Sequence, residues 1–365
     1  LFARDFTDRS AFGGFFSDII NGENFVGTAD IEYSYISDFD NGFAANDAAC
    51  LIAGAVGASA GGVEALTRMV AGLTPDLPYA VLVVLHMPAD APSVLARILG
   101  RAGPLPATTA RTGTALAPGN IYVAVPDRHL LVHDHQTMLT EGPTENGHRP
   151  AINALFRSAA LTFGSRAIGV LLSGVLDDGV LGSAAIQSRG GTTIAQTPAD
   201  ALFPSMPINA VEAGVIDHQA AAADMGGLIK QLTGTVVEEH NMEPDTSMEL
   251  ENRIAMAKRF STDIDAEQLG PPSGYICPDC NGSLAAVGIG SYRCRVGHAW
   301  TAEALLRARD EEVEGALWVA LRSLQEKAKL SRHLARQIGP GQVADRYQQA
   351  ADEADHAVAV LGGRL

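Results

Sequence analysis

Gly54-Ala55-Val56-Gly57-Ala58-Ser59-Ala60-Gly61-Gly62 is a small-residue turn between an apolar run, Leu51 to Val56, and an amphipathic stretch, Val63 to Leu73. This order predicts a strand, a tight turn and a helix, with one hydroxyl, Ser59, at the turn. Only small residues let backbone pack this closely, and the free N–H groups of a new helix favour whatever negative charge forms beside the serine. Gly57-Ala58-Ser59-Ala60-Gly61 also fits G-x-S-x-G, the nucleophile-elbow pattern. The same letters suit a dinucleotide-binding turn, through Gly54, Gly57 and Gly61. Such a turn needs an acidic residue at the end of the next strand, however, and Tyr79 to Leu85 runs into His86, with Asp90 only later. A glycine-rich connection with no chemistry is the plainest alternative.

The 365 residues allow two or three domains and a large core. A hydrophobic fraction of 47% with 19% charged residues describes a globular protein. No apolar run is long enough to cross a membrane, and no basic-then-apolar export signal opens the chain, so a cytoplasmic protein without membrane insertion is expected. A formal charge of −16 disfavours nucleic acid as a partner. The first residue is Leu1 rather than Met, which leaves open that the chain is a fragment. Cys50, ahead of an apolar strand, reads as a small buried hydrophobe.

Residues 1–48 carry no sustained period and read as an irregular extension. From 49 to 235 apolar runs at 51–57, 79–86, 120–125 and 167–173 alternate with helical stretches at 62–73, 92–101, 150–163 and 179–189. This is the pattern of a doubly wound α/β fold with a mainly parallel sheet. Ile121 to Val125 and Leu130 to Val132, split by Pro126-Asp127-Arg128, suggest an antiparallel edge hairpin within it. Residues 236–270 are polar and acidic and read as a linker. Residues 271–300 hold a cysteine cluster. Residues 301–365 read as a helical hairpin broken at Gly339-Pro340-Gly341. Its first helix carries an apolar stripe, Leu305, Ala308, Val313, Ala316, Leu317, Ala320, Leu321 and Leu324, suited to a hairpin or to a protein partner.

A serine nucleophile needs a base and a carboxylate to orient that base. In open α/β sheets such groups come from the carboxyl ends of strands. His86 ends the run Ala80 to Leu85, and Asp177 and Asp178 follow Val170 to Ser173. Taken singly, His86 is an ordinary loop histidine and Asp178 a helix N-cap before Val180. Taken together, three strand ends deliver Ser, His and Asp to one sheet edge. The chain order Ser…His…Asp differs from the Ser…Asp/Glu…His order of α/β-hydrolases.

Several blocks together resemble the chemotaxis receptor methylesterases, the CheB family. They are Val56 to Gly62, Leu85-His86-Met87-Pro88, Pro118 to Ala124, His148-Arg149-Pro150, Leu172-Ser173-Gly174 with Asp178-Gly179, and Met206-Pro207, within residues 51 to 234. The resemblance implies Ser59 as nucleophile, His86 as general base and acid, and Asp178 as orienting carboxylate. It gives the Val175 position an oxyanion role through its backbone N–H, joined by the amide of Ala60 at the helix start. Asp177 matches a position often filled by asparagine, Ala60 replaces a usual Thr or Ser, and Val175 replaces a usual Met. Family members often carry a receiver domain ahead of the catalytic one. Too few residues precede the first strand for that, so a stand-alone catalytic domain active without phosphorylation is expected. Arg149 suits either a contact to an acidic receptor helix or a simple helix-start turn before Pro150.

Cys277-x-x-Cys280, thirteen residues, then Cys294-x-x-x-His298 is the spacing of a structural, four-ligand zinc site in a small ribbon. With an acidic linker ahead of this ribbon, hydrolysis is expected to survive metal removal. Catalysis itself calls for no cofactor. Two functions remain open. One is a protein-glutamate methylesterase acting on chemoreceptor cytoplasmic helices, releasing methanol, with glutamine deamidation on the same proteins. The other is a non-catalytic regulatory or scaffold module of a chemosensory-like system.

Overall fold

A computed structural model describes residues 53–233, 245–257, 270–288 and 290–363. The expectations for 1–48, for Cys50 and for most of the 236–270 linker lie outside these residues.

The main sheet is built from β1 (Ala53–Ala58), β2 (Ala80–Leu85), β3 (Ala107–Thr109), β5 (Ile121–Val123), β8 (Ala167–Leu171), β9 (Thr192–Gln196) and β10 (His218–Ala220). These seven strands lie in the order β10-β9-β8-β1-β2-β5-β3, every pairing parallel. Strand side chains alternate between faces, so each run splits into two sets. Val56, Ala58, Val81, Val83 and Val170 pack with helices α1 (Gly62–Ala71), α2 (Leu95–Ala102) and α6 (Met225–Thr233). Ala55, Leu82, Val84 and Leu171 pack with α3 (Ile152–Phe163), α4 (Val180–Ser188) and α5 (Ser205–Glu212). Burial on both faces is why the strands read as unbroken apolar runs.

The hairpin differs from the expected one. Ile121–Val123 is fully buried and pairs in parallel with both β2 and β3, so it is an inner strand of the main sheet. The hairpin joins β6 (His129–His133) to β7 (Gln136–Thr140), and with β4 (Thr114–Ala115) these make a separate three-stranded sheet. Its two turn residues, Asp134 and His135, have φ of 49° and 55°, the left-handed pair that a two-residue hairpin requires.

The supposed linker also holds structure. Helix α7 (Thr246–Met256) is capped by Asp245, whose carboxylate accepts from the Met248 N–H at 2.9 Å. It buries Met248 and Ala255, and Thr140 Oγ1 donates to the Ala255 carbonyl at 2.6 Å. A four-stranded antiparallel sheet follows: β11 (Pro272–Ile276), β12 (Ser283–Gly288), β13 (Ser291–Cys294) and β14 (Ala299–Thr301).

The chain divides into two compact units, one ending at Ala302 and the other starting at Glu303. The second consists of α8 (Ala302–Ile338) and α9 (Gln342–Gly362), joined at Gly339-Pro340-Gly341. Leu324 and Ala328 of α8 pack on Ala351 and Ala354 of α9, and Arg332 pairs with Asp355. Nearer the start of α8, Val313 and Trp318 of the long helix are exposed.

Candidate active site

Strand β1 is the middle strand of the sheet, and the winding reverses there: β2 lies on one side and β8 on the other. Such a reversal opens a crevice at the carboxyl ends of the strands. Ser59 follows β1, and its N–H donates to the Ser173 carbonyl at 2.9 Å. Gly61 has φ of 70°, and a Cβ there would lie 2.7 Å from Ser173 Oγ. A Cβ on Gly57 would lie 2.3 Å from Ile152, so glycine lets the start of α3 approach the strand carrying the serine.

His86 follows β2, with its N–H on the Ala58 carbonyl at 3.0 Å. Its Nδ1 lies 3.1 Å from Ser59 Oγ, and its Nε2 lies 2.7 Å from Asp178 Oδ2. Because the carboxylate only accepts, the ring proton belongs on Nε2, leaving the Nδ1 lone pair toward the serine hydroxyl. Asp178 also accepts from the Ile152 N–H at 2.7 Å and the Asn153 N–H at 3.1 Å, the first amides of α3. Burial by itself pushes the Asp178 pKa up. The His86 hydrogen bond and charge, with His148 and the Ile152 amide, outweigh burial and hold the carboxyl below its ordinary value. Asp178 therefore does not cap α4. Asn153 Oδ1 serves there instead, accepting from the N–H groups of Gly179 and Gly182 at 2.9 and 2.7 Å.

Leu176 has φ of 64°, a left-handed conformation uncommon for a branched residue, and Asn209 Nδ2 donates to its carbonyl at 3.0 Å. This bent segment carries Val175 on one side and Asp177 and Asp178 on the other. Among the described residues no backbone acceptor engages the amide of Val175 or of Ala60. Arg149 is not an open rim cation. Its side chain is 6% exposed, donates through Nε and Nη2 to Asp127, and donates through Nη1 to the Gly142 carbonyl at 2.9 Å. Its charge ties two loops together.

His148, from the His148-Arg149-Pro150 block but given no role of its own by the sequence, stacks on His86 with ring centroids 3.8 Å apart and planes 15° from parallel. Its neighbour Glu145 is buried against Arg157. Burial raises the Glu145 carboxyl, but Arg157 and then Arg293 overcome it, so the group sits below its usual range.

The second constellation gathers as its spacing predicts. Ligand atoms of Cys277, Cys280, Cys294 and His298 all lie within 4.8 Å of one another. Cys280 and Cys294 sulfurs are 3.6 Å apart, and His298 Nδ1 is 3.4 Å from Cys294 Sγ and 3.6 Å from Cys277 Sγ. A tetrahedral zinc with Zn–S of about 2.3 Å and Zn–N of about 2.0 Å asks for edges of about 3.5–3.8 Å. The donor set fits that metal.

Residues 54–229 match the family model described as CheB methylesterase. A protein-glutamate methylesterase/protein-glutamine glutaminase of Anaeromyxobacter dehalogenans is 44% identical over 165 residues, covering 45% of this chain and 48% of the relative. One from Photorhabdus laumondii is 36% identical over 168 residues, with the same coverage. The chain spans about half the length of the curated relatives it matches. The crystal structure of the Thermotoga maritima CheB methylesterase catalytic domain is 28% identical, with a TM-score of 0.48, and the match covers 50% of this chain and 98% of that one.

Proposed function

We propose that residues 54–229, which match the CheB methylesterase family model, form a catalytic domain that hydrolyses γ-glutamyl methyl esters on chemoreceptor cytoplasmic helices and deamidates glutamines there. The carrying observation is the continuous hydrogen-bonded line from Ser59 through His86 to Asp178 at three adjacent strand ends. Ser59 Oγ attacks the ester carbonyl as His86 Nδ1 takes its proton. The same imidazolium then protonates the departing methoxide, releasing methanol. Water, deprotonated by His86, opens the acyl-enzyme to return Ser59 and a glutamate. Asp178 orients the ring and stabilises its charge. The amides of Ala60 and Val175 supply donors for the tetrahedral oxyanion. The relatives' names give both ester and amide substrates, which one acyl-enzyme route serves.

Cys277, Cys280, Cys294 and His298 hold a zinc ion in this reading. With all four positions filled by protein, the metal is structural and closes the β11–β14 sheet as a ribbon. The activity is tested by mixing the purified chain with receptor methylated on glutamate and measuring methanol. Wild-type protein releases it and Ser59→Ala releases none above background. Equal release from both would end the assignment.

A further inference from the structure

We propose that the β11–β14 module is a positioning element of the esterase site, holding the catalytic imidazole through His148 and Asp177, so that metal occupancy sets the rate at Ser59; this rests on the esterase reading above. Two routes of contact lead from the cysteine cluster to His86, and neither passes through the hydrophobic core.

The first begins beside a ligand. Ala299 directly follows His298, donates its N–H to the Thr144 carbonyl at 3.1 Å and accepts from the Asn146 N–H at 2.8 Å. Thr144 Oγ1 also donates to Asp279, which sits between Cys277 and Cys280. Glu145 bridges to Ala299 on one side and to His148 on the other. The Thr144–His148 turn is thus laid down along β14, and it presents His148 to the face of His86 at 3.8 Å. The second route starts at Thr301. Its N–H donates to Asn146 Oδ1 at 2.9 Å, and its Oγ1 donates to Asp177 Oδ1 at 2.9 Å. Asp177 adjoins Asp178, on the bent segment where Leu176 is held left-handed. The module therefore touches the turn that carries the residue stacked on the catalytic ring, and the neighbour of its carboxylate.

The contact is suited to being conditional. It includes hydrogen bonds, the Arg293–Glu251 ion pair and the Trp300 ring against Gly147, around a cavity of about 90 Å³. Arg157 Nε, Arg293 Nε and Trp300 Nε1, all from residues lining that cavity, have no partner among the described residues. The module's own interior offers Leu284 beside the buried Cys277 and Cys294, so its shape depends on the ligands being drawn together. A backbone held by coordination then becomes a ruler for the loop beside the active site. The expectation that the ribbon is insulated by a linker is replaced, because the ribbon docks next to the triad.

The test uses the whole 365-residue chain, zinc-loaded or stripped by chelator, and reads the rate at which a fluorophosphonate labels Ser59. Stripping is expected to slow labelling by about a hundredfold, the cost of misplacing a catalytic group by ~1 Å. Thr301→Val keeps the branched shape but deletes the donor to Asp177; in the loaded chain it should slow labelling by about tenfold on the same scale. Its effect should vanish in the stripped chain, because both changes cut one route. The pH midpoint of labelling should move with either change. Unchanged rate and midpoint after loss of zinc, or additive effects of T301V and stripping, overturn the proposal. If stripping also unfolds the α/β domain, T301V in the loaded chain decides alone, with an unchanged rate and midpoint counting against it. A loaded wild-type chain that is never labelled at Ser59 overturns the esterase reading and this proposal together, whereas labelling insensitive to zinc and to Thr301 overturns only this one.

Discussion

Around Ser59 the parallel sheet buries Val56, Ala58, Leu82, Val84 and Leu171 completely, while the β11–β14 sheet buries Leu284 and Trp300 and leaves Tyr275 and Ile276 about half exposed. The first region holds its chemistry by packing. Strands covered on both faces bring Ser59, His86 and Asp178 to hydrogen-bond distance at one sheet edge. The second has too little apolar surface to fix a backbone by itself, and its four ligand atoms must do so. In the proposed reading the first backbone is set mainly by burial and the second by zinc coordination.

That contrast breaks most visibly at the metal. Removing zinc should forfeit coordination free energy on the order of 10 kcal/mol. Hydrogen exchange should then rise across residues 272–301 while β1, β2 and β8 stay protected. Equal exchange gain in both regions would show that one cooperative unit spans them. Acid should empty the site as well. The Cys277 thiol is pushed up to about 12, first by its hydrogen bond with Cys294 and then by burial, so binding must displace a proton and weakens as pH falls.

Asp178→Asn probes the packed region. It keeps the shape but removes the carboxylate that fixes the His86 proton on Nε2. Turnover should fall by ~10⁴-fold, the scale of loss when the orienting aspartate of a serine protease becomes asparagine. A loss under tenfold would place the orienting charge elsewhere. The sign of the pH effect follows from the lowered pKa of Asp178. Its contribution to stability is present above the unfolded carboxyl's value and is lost as pH falls through the folded one, so the variant should show a flatter acid limb of unfolding.

The smallest effect sharpens the packing side alone. Leu82→Ala, fully buried under α3, should cost about 2–5 kcal/mol in denaturant unfolding. Leu284→Ala in the zinc-loaded chain should cost less, because coordination rather than that side chain holds its strands. Equal costs would erase the distinction between the two regions.

What rests on local pattern is the most legible in the sequence. Unbroken apolar runs leading into Ser59 and His86, and the run that closes at Leu172 a few residues before Asp178, mark strand ends, and the cysteine spacing marks a closed ligand set. Asp178 as the cap of α4 fits the local sequence, yet the carboxylate accepts from the start of α3, the neighbouring helix on the same face, a contact that no spacing encodes. Ile121–Val123 is too short for its run to show whether its neighbours are parallel or antiparallel, and β3, with only Ala107, Thr108 and Thr109, carries no apolar signal. Helix α7 hides among acidic residues because it buries a narrow stripe through Met248, Ile254 and Ala255. His148 is legible only as part of the His148-Arg149-Pro150 block; its stacking on His86 joins residues 62 positions apart and has no local signature.

The position of β1, fourth of seven strands, also bears on how such a protein can grow. The chemistry sits at the strand farthest from β3 and β10, the two open margins. Extra strands, loops or appended domains can enter at either margin without passing through the crevice. A chain built this way can be lengthened outward or recut at its borders while the three residues at its centre keep their register.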